Sequence, residues 1–237
     1  MSGALVVELG APRRTLSSAL LGGGLRDGAT AWLNLGVEHG YARMDPVAHL
    51  EETVAAHGLA RDATIGMMTA ADVDLAVDHA HGCARAVATV GIGHALAAAG
   101  RRPRRVPAVG TINLLVVVDE PLDDAALVAA AQTATEAKAQ ALADARVPSL
   151  NHDGFATGTA TDSLCIAALP GGGVPFAGPA TSVGAAIARC VHAAVLEGAR
   201  ADLRRLAAWR AGAEGAPPAA GRPAVRTAAA AADRGAS

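Results

Sequence analysis

The sequence predicts a single α/β domain in which helices cover a mixed β-sheet. Three observations lead to this prediction: a length of 237 residues, a hydrophobic fraction of 51%, and short apolar runs that alternate with longer helical patterns. Runs rich in β-branched residues predict strands. These runs cover residues 5–9, 31–37, 63–68, 84–90, 111–119 and 163–169.

The segments between these runs predict helices. Asp45 and Pro46 are a favourable helix start, because Asp caps the free backbone N–H groups and Pro suits the first helical position. Gly58 then ends this helix. Two longer helices are predicted at about 124–145 and 182–211.

The domain is expected to span residues 1–211. From Gly212 onward the chain becomes rich in Ala, Gly and Pro with scattered charges. Such a composition has too few large apolar side chains to bury a core. We therefore expect residues 212–237 to form a disordered tail.

Composition and charge exclude several function classes. The formal net charge is −2 and aromatic residues make up 2%, so neither a basic field nor stacking platforms for nucleic acid are expected. The apolar run at 106–118 is too short to span a bilayer, and no membrane partner is expected. The basic run at 101–105 is expected to be a solvated loop. Three cysteines without CxxC spacing favour a reducing compartment and a cytoplasmic location.

The helix at 124–145 contains a lysine where an amphipathic helix would be apolar. On a helical wheel, Thr135 and Lys138 lie on the apolar side, one turn apart, whereas Glu136 lies on the other side with Gln132, Thr133 and Gln140. A buried, unpaired ammonium costs several kcal/mol. Lys138 therefore needs a carboxylate or a ligand, unless it reaches past small neighbours to water.

Polar residues flank this helix in the sequence. Thr111 and Asn113 share one face of the predicted strand before it. After it comes a Gly/Thr turn at 156–162, which offers backbone N–H groups and hydroxyls to an anion or oxyanion. Asp162 ends this turn at the edge of an apolar strand. Together these segments can bring an amine, carboxylates, an amide and hydroxyls into one site.

Several of these segments, in the same order along about 5–206, resemble the signature blocks of the adenosylcobinamide amidohydrolases. The blocks are residues 16–19 with the glycines at 22–24, Asn34 with Val37, and residues 66–71, 110–113, 134–138 and 156–162. The sequence departs from the family pattern in having Gly throughout 22–24 where one Asn is expected, Ala160 instead of a second Gly, and His94 instead of Asn.

The resemblance implies a hydrolase that cleaves the amide joining aminopropanol to a propionate arm of adenosylcobinamide. The product, adenosylcobyric acid, re-enters cobalamin synthesis. The corrinoid is then the substrate, and no separate cofactor is expected. Two alternatives stay open: a non-catalytic corrinoid-binding protein, and a hydrolase of another small amide. The oligomeric state is also open, with a homo-oligomer as one option.

Amide hydrolysis suggests roles for the residues in these blocks. Lys138 and Asp162 are expected to form the central catalytic pair, with Lys138 stabilising the oxyanion or protonating the amine. Asp162 or Glu136 would orient the attacking water or hydroxyl, and Thr135 is the nearest hydroxyl. The residues expected to bind substrate are Ser17, Ser18, Gly23, Asn34, Thr111, Asn113, Thr157, Gly158, Thr159 and Thr161.

Other chemistries have weaker support. His79, His81 and Cys83 alternate as metal ligands on a strand would, but a polar loop before the next strand is the favoured interpretation. No metal site is therefore expected. The sequence has no GxSxG motif, which argues against a serine triad of the α/β-hydrolase type.

Overall fold

The computed structural model describes residues 3–38, 40–101 and 110–212, together with the backbone of 224–227. It confirms the α/β class: one mixed sheet is packed against three helices. The helices are α1 (Pro46–Ala56), α2 (Asp124–Asp144) and α3 (Ser182–Arg210). The strands are β1 (Ala4–Ser17), β2 (Gly24–Gly36), β3 (Thr64–Thr69), β4 (Val77–His81), β5 (Ala84–Val90), β6 (Ala95–Leu96), β7 (Ile112–Leu122), β8 (Gly158–Thr159), β9 (Ser163–Val174) and β10 (Ala224–Thr227).

The main sheet has the strand order β3-β2-β1-β9-β7-β5-β4. Neighbours β2 and β3 are parallel, as are β7 and β9, and the other pairs in this order are antiparallel. Strand β10 adds to β1 in parallel, and β6 pairs separately with β8. The N-terminal ends of β7 and β9 therefore lie side by side, next to the C-terminal end of β1.

The two faces of the sheet bury separate sets of side chains, as the two-residue period of a strand requires. On β7, Leu114 and Val116 join the core under α2 and α3, whereas Leu115 and Val117 join a second core. This second core also contains Trp32 from β2, so the sheet curls and packs part of one face upon itself. A third cluster lies between the sheet and α1.

All three predicted helices are present within about one residue of their expected ends. Pro46 occupies the start of α1, and Gly58 follows it with a positive φ of 67°. The expected cap by Asp45 is wrong, since its side chain makes no cap hydrogen bond and instead binds Arg43. A nearby cation competes for the carboxylate at this helix end.

Strand β1 is longer than expected, because its outer half carries charges that distant residues neutralise, and β2 is extended as its antiparallel partner. Arg13 is buried in β1, where it donates to the carbonyl of Val118 and the carboxylate of Asp119. Arg14 pairs with Asp124 at the start of α2. These long-range ion pairs let a polar segment continue the sheet.

The segment at 79–83 is a strand and turn rather than the expected loop. It forms most of β4 and a turn at Gly82 (φ 54°), which leads into β5. Strand β4 ends the sheet, and an edge strand tolerates polar side chains because one side faces solvent.

Helix α2 buries a different stripe from the expected one at two positions. Thr133 is 3% exposed and donates to the carbonyl of Ala177, although the wheel places it on the polar side. Val128 is 51% exposed, although the wheel places it on the apolar side. Contact with the segment before α3 thus rotates the buried face of α2 toward Thr133.

Two expectations fall largely outside the described residues. The tail prediction concerns 212–237, of which only Gly212 and the backbone of Ala224–Thr227 are described. The basic run at 101–105 is described at Arg101 alone. Across the described part of the chain, none of the helices has the length and hydrophobicity needed to cross a membrane.

Candidate active site

An ion pair between helix α2 and the turn before β9 forms the centre of the candidate site. Lys138 Nζ donates to Asp162 Oδ2, so the carboxylate expected for this partly buried ammonium is present. Their side chains are 12% and 15% exposed. Neighbouring positions of α2 are the small residues Ala134, Ala137 and Ala141, all of them buried.

Three further donors reach the carboxylate of Asp162. The backbone N–H and the hydroxyl of Thr159 both donate to it, and so does the N–H of Ile112 at the start of β7. A carboxylate has about four lone-pair sites. Together with Lys138, these donors fill the acceptor capacity of Asp162 and join three elements at one point.

Gly158 lies directly under this ion pair. A Cβ atom at Gly158 would be 2.5 Å from Asp162 Oδ2 and 2.9 Å from Lys138 Nζ. Real Cβ contacts are not that short, so any larger residue would push the pair apart. The glycine in this turn therefore leaves space for the lysine.

Hydroxyl pairs surround the ion pair. Ser18 Oγ lies 3.1 Å from Ser163 Oγ and accepts from the N–H of Leu164. Thr111 Oγ1 lies 2.6 Å from Thr161 Oγ1. Ser163 is absent from the residues expected from the sequence, although its position directly after Asp162 at a strand start was an available signal.

Two cavities meet at Asp162. The small cavity, of about 380 Å³, is lined by Lys138, Thr135 and Ser17 among apolar side chains. The large cavity, of about 710 Å³, is lined by Thr111 and Thr161 with residues of the β2–α1 and β3 regions. Both volumes are typical of small-molecule sites.

A ridge of three residues separates the small cavity from the large one. Ser18, Asp162 and Ser163 line both cavities and therefore form this ridge. A substrate bound across the ridge would have one part in each cavity.

The two asparagines expected to bind substrate lie in the core. Asn34 and Asn113 are both 0% exposed. Asn34 donates to Thr89 and accepts from Asn113, which also donates to the carbonyl of Met68. Neither lines a described cavity. They cross-link β2, β3, β5 and β7 beneath the site, because their faces of the strands turn toward the second core.

Three other expected residues lie away from the two cavities. Glu136 is on the exposed side of α2, and Gly23 is exposed in the β1–β2 connection, where its backbone approaches Ala19. Thr157 is exposed, and its hydroxyl accepts from the N–H of Ala98. Thr157 thereby fixes the turn from outside, and Thr159 fixes it from inside through Asp162.

Metal ligands do not cluster in the described ranges 3–38, 40–101 and 110–212, where no group of three or more His, Cys, Asp or Glu side chains could hold an ion. His79 pairs with Glu197, and His81 with Arg189, both on α3. These contacts attach the edge strand β4 to the helix.

Lys138 is also unusual because it is a lysine in a chain whose other Lys and Arg positions are all arginine. The sequence contains 20 Lys and Arg residues, and Lys138 is the one lysine among them. A lysine ammonium can release a proton during a reaction, whereas a guanidinium keeps its charge in proteins. The chain thus has its single lysine ammonium on the wall of the small cavity.

A protein-family model described as adenosylcobinamide amidohydrolase (CbiZ) matches residues 1–207, which include every residue of the site. The chain belongs to this family. An adenosylcobinamide amidohydrolase of Halobacterium salinarum is 35% identical over 204 residues, covering 80% of this chain and 82% of that relative. An uncharacterized protein of Methanocaldococcus jannaschii is 36% identical over 90 residues, covering 38% of this chain and 35% of that protein.

Membership of the adenosylcobinamide amidohydrolase family agrees with the sequence resemblance. It indicates an amidohydrolase with a corrinoid as its small-molecule substrate. The ion pair, the ridge and both cavities all lie within the part of the chain that the family model covers.

Proposed function

We propose that this chain hydrolyses the aminopropanol amide of adenosylcobinamide to adenosylcobyric acid, in corrinoid salvage for cobalamin synthesis. One observation carries the proposal: a partly buried lysine–carboxylate pair, Lys138 and Asp162, lies on a cavity wall beside the Ser18–Ser163 hydroxyl pair. Such a site offers a proton donor and hydrogen-bond donors to a developing oxyanion. The corrinoid enters as substrate, and the proposed steps require no cofactor.

Lys138 protonates the leaving amine in this proposal. Amines are poor leaving groups, and a positioned proton donor typically contributes 10²–10⁴-fold to such steps. The use of lysine here, in a chain with arginine at its other basic positions, supports a role that needs proton release.

Asp162 acts as a positioning residue. Its acceptor sites are occupied by Lys138, Thr159 and Ile112, so it has little capacity left to bind an attacking water. This arrangement supports a role in orienting the ammonium and in holding the turn under the substrate.

Glu38 takes the proton from the attacking water. It is the other carboxylate on the wall of the large cavity, alongside Asp162. Within the described residues, no hydrogen bond to its carboxylate is found, so its lone pairs are available to a water. Both Glu38 and Glu136 are exposed, but Glu136 lies outside both cavities.

The hydroxyls of Ser18, Ser163, Thr111 and Thr161 bind the amide and the neighbouring polar groups of the substrate. Each hydroxyl both donates and accepts, which suits amides. The three free cysteines, two of them buried, support the proposal that the protein works in a reducing cytoplasm.

The test is to incubate the purified protein with adenosylcobinamide and to detect adenosylcobyric acid and aminopropanol by mass spectrometry. Lys138→Met is expected to abolish turnover, because it keeps the shape of the side chain without its proton. Lys138→Arg keeps the charge opposite Asp162 but is expected to lower kcat at least about 100-fold, since a guanidinium does not release a proton. Thermal unfolding checks that both variants are folded.

Three results would point elsewhere. Substrate binding without cleavage by the wild-type protein would favour a corrinoid-binding protein, and neither binding nor cleavage would favour another amide. Full activity of Lys138→Arg would mean that charge alone is needed. Repeating the assay with a chelator measures any metal requirement.

A further inference from the structure

The two cavities differ in their access to the ammonium of Lys138. Lys138 lines the small cavity and does not line the large one. Asp162, Ser18 and Ser163 line both, so the ridge is shared whereas the proton donor is not. The site is therefore asymmetric about the point where an amide would lie.

This asymmetry fixes the direction in which an amide binds. The group that protonates a leaving amine must reach its nitrogen, so it lies on the amine side of the bond that breaks. We propose that the small cavity is the subsite for the leaving amine and selects a short amino alcohol. The inference rests on the proposed function, which it extends to the specificity of the site.

Chemically, the small cavity matches an amino alcohol. Its apolar walls include Leu16, Leu114 and Ala131, which suit a short carbon chain. Thr135 is the other polar residue that α2 contributes to this cavity, one turn before Lys138. Its hydroxyl donates to the carbonyl of Ala131, so its oxygen keeps lone pairs that accept the O–H of the alcohol.

The acyl part of the substrate occupies the large cavity. This cavity is about 330 Å³ larger than the small one, from volumes of 710 and 380 Å³. Its walls include Tyr41, Met67 and Met68, and methionine adapts to irregular apolar surfaces. A bulky macrocycle therefore fits better on this side of the ridge.

The reaction balances with Glu38 of the large cavity as the base and Lys138 of the small cavity as the acid. The oxygen of water bonds to the carbonyl carbon as Glu38 takes one of its protons. The carbon–nitrogen bond breaks and the nitrogen takes a proton from the ammonium of Lys138. The products are the carboxylic acid and the free amine, and a proton returns from Glu38 to Lys138 through solvent.

Thr135→Val tests the hydroxyl contact because it keeps the shape of the side chain. The substrates are two amides of the same corrinoid acid, one with aminopropanol and one with propylamine. We expect kcat/KM for the aminopropanol amide to fall about tenfold and that for the propylamide to stay unchanged, as one hydrogen bond is lost.

Ala131→Leu tests the volume of the small cavity. It is expected to lower kcat/KM about 10–100-fold for the aminopropanol amide and much less for the unsubstituted amide, which releases ammonia. Ala125→Leu, at an exposed position of α2, is the matched control and should change neither rate.

The outcomes separate the inference from the proposed function. A wild-type protein that cleaves neither the aminopropanol amide nor the propylamide contradicts the proposed function. If the wild-type protein is active but both α2 variants change all amides by the same factor, the subsite assignment is wrong. Loss of amine selectivity after Met68→Ala instead of Ala131→Leu would place the amine in the large cavity.

Discussion

At the scale of single residues, the site depends on a few positions where size and hydrogen bonding leave little freedom. Lys138 and Asp162 meet at a point that three elements reach. The space for this contact exists because residue 158 has no side chain. Even conservative substitutions at such positions are therefore expected to lower activity strongly.

Gly158→Ala is expected to separate Lys138 from Asp162, because the new methyl group would collide with both side chains. Turnover should fall at least tenfold, and the free energy of unfolding should fall by about 1–3 kcal/mol, as in other overpacked sites. Steady-state kinetics and urea denaturation measure the two effects.

Gly178→Ala is the matched control for this variant, since a Cβ there meets open space. It should keep both activity and stability. Equal losses in the two variants would show that the ion pair is not what Gly158 protects.

Glu38→Gln is expected to lower kcat about 100-fold or more, because an amide side chain cannot take a proton from water. Glu136→Gln should keep wild-type kcat, since this residue lines neither of the two cavities. Measurement of kcat for both variants over a range of pH tests the assignment. A reversed pattern would return the role of base to Glu136.

At the scale of elements, helix α3 holds the turn at 156–162 in place. This turn contains Asp162, whereas α3 itself does not contribute to the ion pair. Asp202 of α3 is 6% exposed and accepts from the N–H of Ile92, just before β6. Strand β6 pairs with β8, which contains Gly158 and Thr159. The position of the turn thus depends on α3 through a chain of hydrogen bonds.

Asp202→Ala is expected to leave the N–H of Ile92 buried without a partner, which costs about 1–3 kcal/mol of stability. It should also raise hydrogen exchange in residues 92–97 and lower kcat/KM. Mass-detected hydrogen exchange and kinetics are the measurements. Unchanged exchange at 92–97 would show that the loop does not need α3.

At the scale of the whole molecule, local signals predicted the helices and the class of fold, and long-range contacts decided the rest. Pro46 and Gly58 act within one turn of chain, so the sequence is sufficient for α1. Arg13 continues β1 only because Asp119 lies beside it in the folded sheet. The position of Lys138 on the apolar side of its helix likewise predicted a carboxylate partner. The burial of Asn113, in contrast, depends on how the sheet curls.

Burial of two thiols makes the stability of the whole fold sensitive to alkaline pH. Burial raises the pKa of Cys165 and of Cys190 from 9.0 to about 12. Between these values the unfolded chain loses the thiol protons and the native protein keeps them. Their contribution is therefore present below about pH 9 and is lost as pH rises toward 12.

We expect the free energy of unfolding to fall in that window by up to about 1.4 kcal/mol per pH unit for each thiol. Urea denaturation at several pH values measures the slope, and replacement of both cysteines by alanine should reduce it. An equal slope in the double variant would assign the effect to other groups.

The single lysine has a practical consequence for chemical labelling. Apart from the chain terminus, a reagent that modifies amines finds one target in this protein, and that target lies on the wall of the small cavity. Modification can therefore be counted as one mass increment on one peptide. Protection of that peptide by a ligand reports occupancy of the site directly, without any turnover.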